Sequence, residues 1–76
     1  MNIYELVAFV RDGTDAPIDV RWKWEKISSG NECKTLIVQH NDIIKYWQGH
    51  KYKDPEKLRE TVYAAFNIHA KTELFG

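Results

Sequence analysis

Seventy-six residues with eleven basic and eleven acidic side chains leave a formal net charge of zero, which argues against a general polyanion binder. One cysteine, Cys33, excludes an intramolecular disulfide, and a chain this short has room for one small domain, residues 1–76, that must be held by packing unless it oligomerises or binds a metal. Three Trp, four Tyr and three Phe supply that packing, each ring able to bury on the order of 150 to 250 Å².

The N-terminal stretch MNIYELVAFVRDG carries no positive leader before its apolar run, and the run falls short of the about 20 residues a membrane span needs. The expectation is a cytoplasmic protein without a membrane role. Residues Ile3 to Arg11, rich in aliphatic and aromatic side chains, read as a first strand, ended by the turn residues Asp12, Gly13, Asp15 and Pro17. From Ile18 the pattern has a strict period of two, with Ile18, Val20, Trp22 and Trp24 on one face and Asp19, Arg21, Lys23 and Glu25 on the other. Ser28, Ser29, Gly30 and Asn31 break it, and Cys33 to Gln39 reads as a third strand.

Asp42 could cap a short helix ending at Gly49, but Ile43, Ile44, Tyr46 and Trp47 favour a fourth strand, Ile43 to Trp47, entered through the turn His40-Asn41-Asp42. Asp54 as N-cap, Pro55 at the first helical position, and Leu58, Val62, Ala65 and Phe66 at helical spacing predict a helix that stops at Asn67. Beyond it, Ile68, Ala70, Thr72 and Leu74 would suit a short edge strand. The fold class expected is α+β, an antiparallel three- to four-stranded β-meander followed by one C-terminal α-helix packed on one face, ββββα.

One helix shields one face of such a sheet, so the other should be polar in a lone monomer. The first strand breaks that rule, with Ile3, Val7 and Phe9 on one side and Tyr4, Leu6, Ala8 and Val10 on the other. The expected excess of apolar surface points to a protein partner or a homodimer, unless the C-terminal tail or the Asp12 to Pro17 loop covers it.

Candidate chemistry is sparse. Asp12, Asp15 and Asp19 lack the alternating ligands and closing glutamate of a calcium loop, and His40, His50 and His69 lack zinc-ligand spacing, so no metal is expected. Cys33, His40 and Asp42 contain the residue types of a thiol nucleophile, base and orienter, yet strand alternation turns Cys33 away from His40. Gly13, Gly30, Gly49 and Gly76 are too dispersed to cradle a phosphate, and no cofactor or small-molecule substrate is expected.

Two binding readings remain. The first is a non-catalytic small binding protein, such as the inhibitors that phages and mobile elements encode, acting through a sheet face or edge strand. Tyr4, Trp22, Trp24, Tyr46, Trp47 and Tyr52 are its partner-binding candidates, because Trp and Tyr dominate interface hot spots. The second is a nucleic-acid-binding module built on the basic aromatic segment KYWQGHKYK, with Lys45, Trp47, His50, Lys51, Tyr52 and Lys53 supplying phosphate contacts and stacking platforms. The order of strands followed by one helix is similar to that of small DNA-binding modules of phage integrases and plant transcription factors. That resemblance implies a sheet entering the major groove, with Asp19, Arg21, Lys23 and Glu25 on the reading face.

Overall fold

A computed structural model describes residues 2–26, 28–48 and 54–71. The element order is α1 (Ile3–Asp12), β1 (Ile18–Lys26), β2 (Glu32–His40), β3 (Ile43–Gln48) and α2 (Pro55–Phe66), an α+β fold with a three-stranded antiparallel sheet. The expected first strand is therefore a helix, and the architecture is αβββα rather than ββββα.

The reason lies at the start of that segment. The Asn2 side-chain oxygen accepts from the Glu5 backbone N–H at 2.8 Å, and the Asn2 amide reaches the Glu5 carboxylate at 2.7 Å, so the first turn is capped reciprocally. Ile3, Leu6 and Val10 then recur at helical spacing and are buried, while Tyr4 and Glu5 point outward. Burial of this stripe outweighs the modest β preference of the isoleucine, valines and aromatics, which amounts to about 1 kcal/mol per residue at most.

The remaining elements fall where the local signals place them. Gly30 turns the β1–β2 connection at φ +86°, which a residue with a Cβ adopts only under strain. Asn41, at φ 57°, makes the tight β2–β3 turn, a conformation asparagine tolerates. Helix α2 begins with the Asp54 carboxylate accepting from the Lys57 N–H and ends at Asn67, left-handed at φ 55°. The short-helix alternative for Asp42 to Gly49 gives way to β3, whose Ile43 to Gln48 pair with His40 to Thr35.

Sheet order is β1-β2-β3, with Trp22 opposite Leu36 and Leu36 opposite Trp47. Both helices lie on the face made by Ile18, Val20, Trp22, Leu36, Val38 and Trp47. There they close a core of Ile3, Leu6, Val10, Val20, Leu36, Val38, Leu58, Val62, Tyr63 and Phe66. Val10, Leu36, Val38 and Val62 are fully buried, each worth roughly 1.5 to 3 kcal/mol of transfer free energy.

A second helix removes most of the apolar excess expected from a two-faced first strand. Phe9, on the flank of α1, is covered by the Arg59 guanidinium 4.3 Å from its ring. The Asp12–Pro17 loop and the tail bind one another: Lys71 N–H donates to the Gly13 carbonyl at 2.7 Å and the Thr14 hydroxyl to the His69 carbonyl at 2.6 Å. Residues Ile68 to Lys71 are not strand, and Thr72 and Leu74 of the expected edge strand lie outside the described residues.

Candidate functional site

On β1, Trp22 and Trp24 alternate onto the helix-covered face, but the cover ends between them. Trp22 is partly buried against the core, whereas Trp24 is 55% exposed. Tyr4, on the first turn of α1 and 72% exposed, meets the Trp22 ring edge-on at 5.8 Å, and Trp22 meets Trp24 at 5.9 Å with planes at 76°. Edge-to-face pairs of this kind add about 0.5 to 1.5 kcal/mol each beyond area burial, so the three rings brace one another.

The strand register adds a fourth member. Lys34 is the cross-strand partner of Trp24, and its ammonium lies 5.3 Å from the Trp24 ring centroid and 5.9 Å from that of Trp22. Among the described residues it makes no ion pair, and the ring faces stabilise its charge by about 0.5 to 1 kcal/mol per contact at an exposed site. Sequence reasoning missed Lys34. The signal was the hairpin register, which the Ser-Ser-Gly-Asn break left undetermined.

The other candidate aromatics are elsewhere. Tyr46 stands on the opposite sheet face, 55% exposed, with the Lys23 ammonium 5.4 Å from its ring centroid. Trp47 packs beside Phe66 at 6.2 Å on the helix-covered side. The five described partner-binding candidates thus do not form one surface, and Tyr52 lies outside the described residues. Of the nucleic-acid candidates, His50, Lys51, Tyr52 and Lys53 likewise lie outside them. Lys45 donates to the Ala65 carbonyl at 3.1 Å and sits 5.6 Å from the Phe66 ring centroid, where it satisfies one of the carbonyls left open at the end of α2.

The open sheet face is the one that the resemblance to DNA-binding modules assigns to groove reading. Its cations are matched in place: Arg21 bonds Asp19, and Lys23 lies 3.1 Å from Glu25, which also accepts from the Thr35 hydroxyl at 3.0 Å. The Lys23 ammonium, and then Thr35, hold the Glu25 carboxyl below its ordinary range. Cys33 lies on this face 3.9 Å from the Thr35 hydroxyl, while His40 meets the Phe66 ring on the covered face, so thiol and imidazole are separated by the sheet.

Among the described residues no cluster of His, Cys, Asp and Glu could hold a metal ion, and no helix is long and apolar enough to cross a membrane. No family model, curated protein or solved structure matches this chain.

Proposed function

We propose that this is a small non-catalytic binding protein that engages a protein partner through the ridge of Tyr4, Trp22, Trp24 and Lys34, occupying part of a larger protein's surface. The observation that carries the reading is the pairing of two large exposed rings with a lysine that has no carboxylate partner among the described residues. A segment that places an apolar side chain against Trp24 and a carboxylate beside Lys34 suits both features. Trp and Tyr anchors rimmed by charge are the usual composition of interface hot spots.

A nucleic-acid ligand on this ridge, in place of the Lys45 to Lys53 segment expected from sequence, would use the same rings as stacking platforms. What favours protein is the neutral sequence together with the engagement of five of the nine described cations. Arg11, Arg21, Lys23 and Lys71 are in ion pairs, Lys45 is engaged with α2, and the sequence is neutral overall. The test is affinity capture from the source cells with the wild-type chain and with Tyr4→Ala/Trp24→Ala, followed by titration of the recovered protein against both. Loss of binding in the variant with an unchanged thermal transition supports the ridge; equal binding sinks it. A parallel titration with single-stranded DNA decides the class of ligand, because phosphate contacts make log affinity fall steeply with log salt.

A further inference from the structure

The two edges of the sheet differ. Along β1, Asp19, Arg21, Lys23 and Glu25 alternate on the open face with Lys26 at the end, the charged dressing that keeps an edge strand from pairing with another chain. Strand β3 has none of this. Between Ile43 and Gln48 its only charge is Lys45, drawn inward onto the Ala65 carbonyl and the Phe66 ring, while Ile43, Ile44 and Tyr46 are 54%, 41% and 55% exposed. It contains no proline, and its pairing with β2 is regular, with no bulge.

We infer that β3 is the interface with a second copy of this chain, joined antiparallel across a two-fold axis at Lys45 into a continuous six-stranded sheet. The register follows from the turn. A two-residue connection makes His40 and Ile43 a hydrogen-bonded pair, so alternation directs the backbone groups of Ile43, Lys45 and Trp47 toward β2. Those of Ile44, Tyr46 and Gln48 point to the outer edge. A two-fold at Lys45 sets Ile44 of one copy opposite Tyr46 of the other, and that pair exchanges both backbone hydrogen bonds.

The side chains agree with the same register on both faces. Ile44 meets Tyr46 on the open face and Ile43 meets Trp47 on the covered face, apolar against apolar at every position from Ile43 to Trp47 except the axis. The two Lys45 side chains face each other there, but each ammonium is already held by its own α2. A slip of two residues places Ile44 against Gln48, or Asp42 against Tyr46, and loses the match. The contact uses the same patch on both copies, so it closes as a dimer and leaves the charged β1 edges outermost. It is independent of the aromatic ridge.

Sedimentation equilibrium across a concentration series tests it, with a mass approaching twice the 9.0 kDa of the chain expected for wild type. Tyr46→Lys should raise the dissociation constant by about tenfold or more, since it removes both Ile44–Tyr46 pairs and adds charge at the edge. Trp24→Ala should leave the dimer unchanged. Register is read by oxidising Lys45→Cys in a Cys33→Ser background. Directly opposed residues at a non-hydrogen-bonded site sit about 4.5 Å apart at Cα, within disulfide reach, so a covalent dimer should form. Ile44→Cys in the same background should cross-link much more slowly. A monomer at the highest concentration, or cross-linking of Ile44→Cys as fast as that of Lys45→Cys, overturns the inference.

Discussion

The Tyr63 hydroxyl donates to the Val10 carbonyl oxygen across 53 residues of sequence, and so joins the last turn of α2 to the last turn of α1. That carbonyl is one of the four that a helix C-terminus leaves without an intrahelical donor, and here it is buried. The two helices are locked together at the point where α1 turns toward the sheet.

Tyr63→Phe keeps the ring and deletes the donor, and should cost about 1 kcal/mol, rising toward 3 if the carbonyl finds no water. The same variant should change the alkaline limb of stability. Burial raises the Tyr63 pKa above its unfolded value of about 10, so its contribution is fully present below that value and is lost as pH rises through the folded one. Urea unfolding at neutral and strongly alkaline pH measures both effects. An equally steep alkaline loss in Tyr63→Phe would assign it to another group.

Gly13 sits under the same hydroxyl. A Cβ there would meet the Tyr63 oxygen at 2.6 Å and Arg59 at 2.9 Å, while the backbone, at φ −82°, is ordinary. Arg59 can swing away, but Tyr63 is held by its hydrogen bond. Gly13→Ala should therefore destabilise by about 1 to 3 kcal/mol through overpacking rather than backbone strain. In a Tyr63→Phe background the penalty should shrink, and a double-mutant cycle by chemical denaturation reads the coupling.

The ridge and the core should respond oppositely to truncation. Leu36→Ala empties a fully buried site and should cost about 2 to 5 kcal/mol, whereas Trp24→Ala removes a largely exposed ring and should cost about 1 kcal/mol or less. Thermal melts of the two variants check this. A large loss for Trp24→Ala would mean that the ridge is chiefly structural.

Glu25 makes stability depend on acid. Because Lys23 and Thr35 lower its folded pKa, its contribution is present above the unfolded value of about 4.3 and disappears as pH falls through the folded value. Glu25→Gln should flatten that part of the acid limb and leave the slope from Asp12, whose carboxyl Arg11 also holds low. Denaturation midpoints from neutral to strongly acidic pH would reveal it, and identical slopes in both proteins would place the acid sensitivity elsewhere.

The Asn2 cap should be worth about 0.5 to 2 kcal/mol, so Asn2→Ala should lower both stability and the helical ellipticity at the start of α1. An unchanged spectrum and midpoint would mean that α1 does not depend on its cap.

Local chemistry by itself determined most of the elements: the period of two in β1, the Asp54-Pro55 start and Asn67 stop of α2, and the strand character of Ile43 to Gln48. Each rests on residues within a turn or two of one another, which is the range over which caps, turns and alternation act. Helix α1 was legible too, through Asn2 and Glu5 three positions apart, but the apolar composition between them masked it. What the tertiary structure decided is which side chains stay exposed. The helices end over the sheet so that Trp22 is partly buried and Trp24 is not, Lys34 arrives beside them through the hairpin register, and Lys45 is drawn to a carbonyl 20 residues away. Those outcomes depend on where elements stop relative to one another in space, and no periodicity within a single element carries that information.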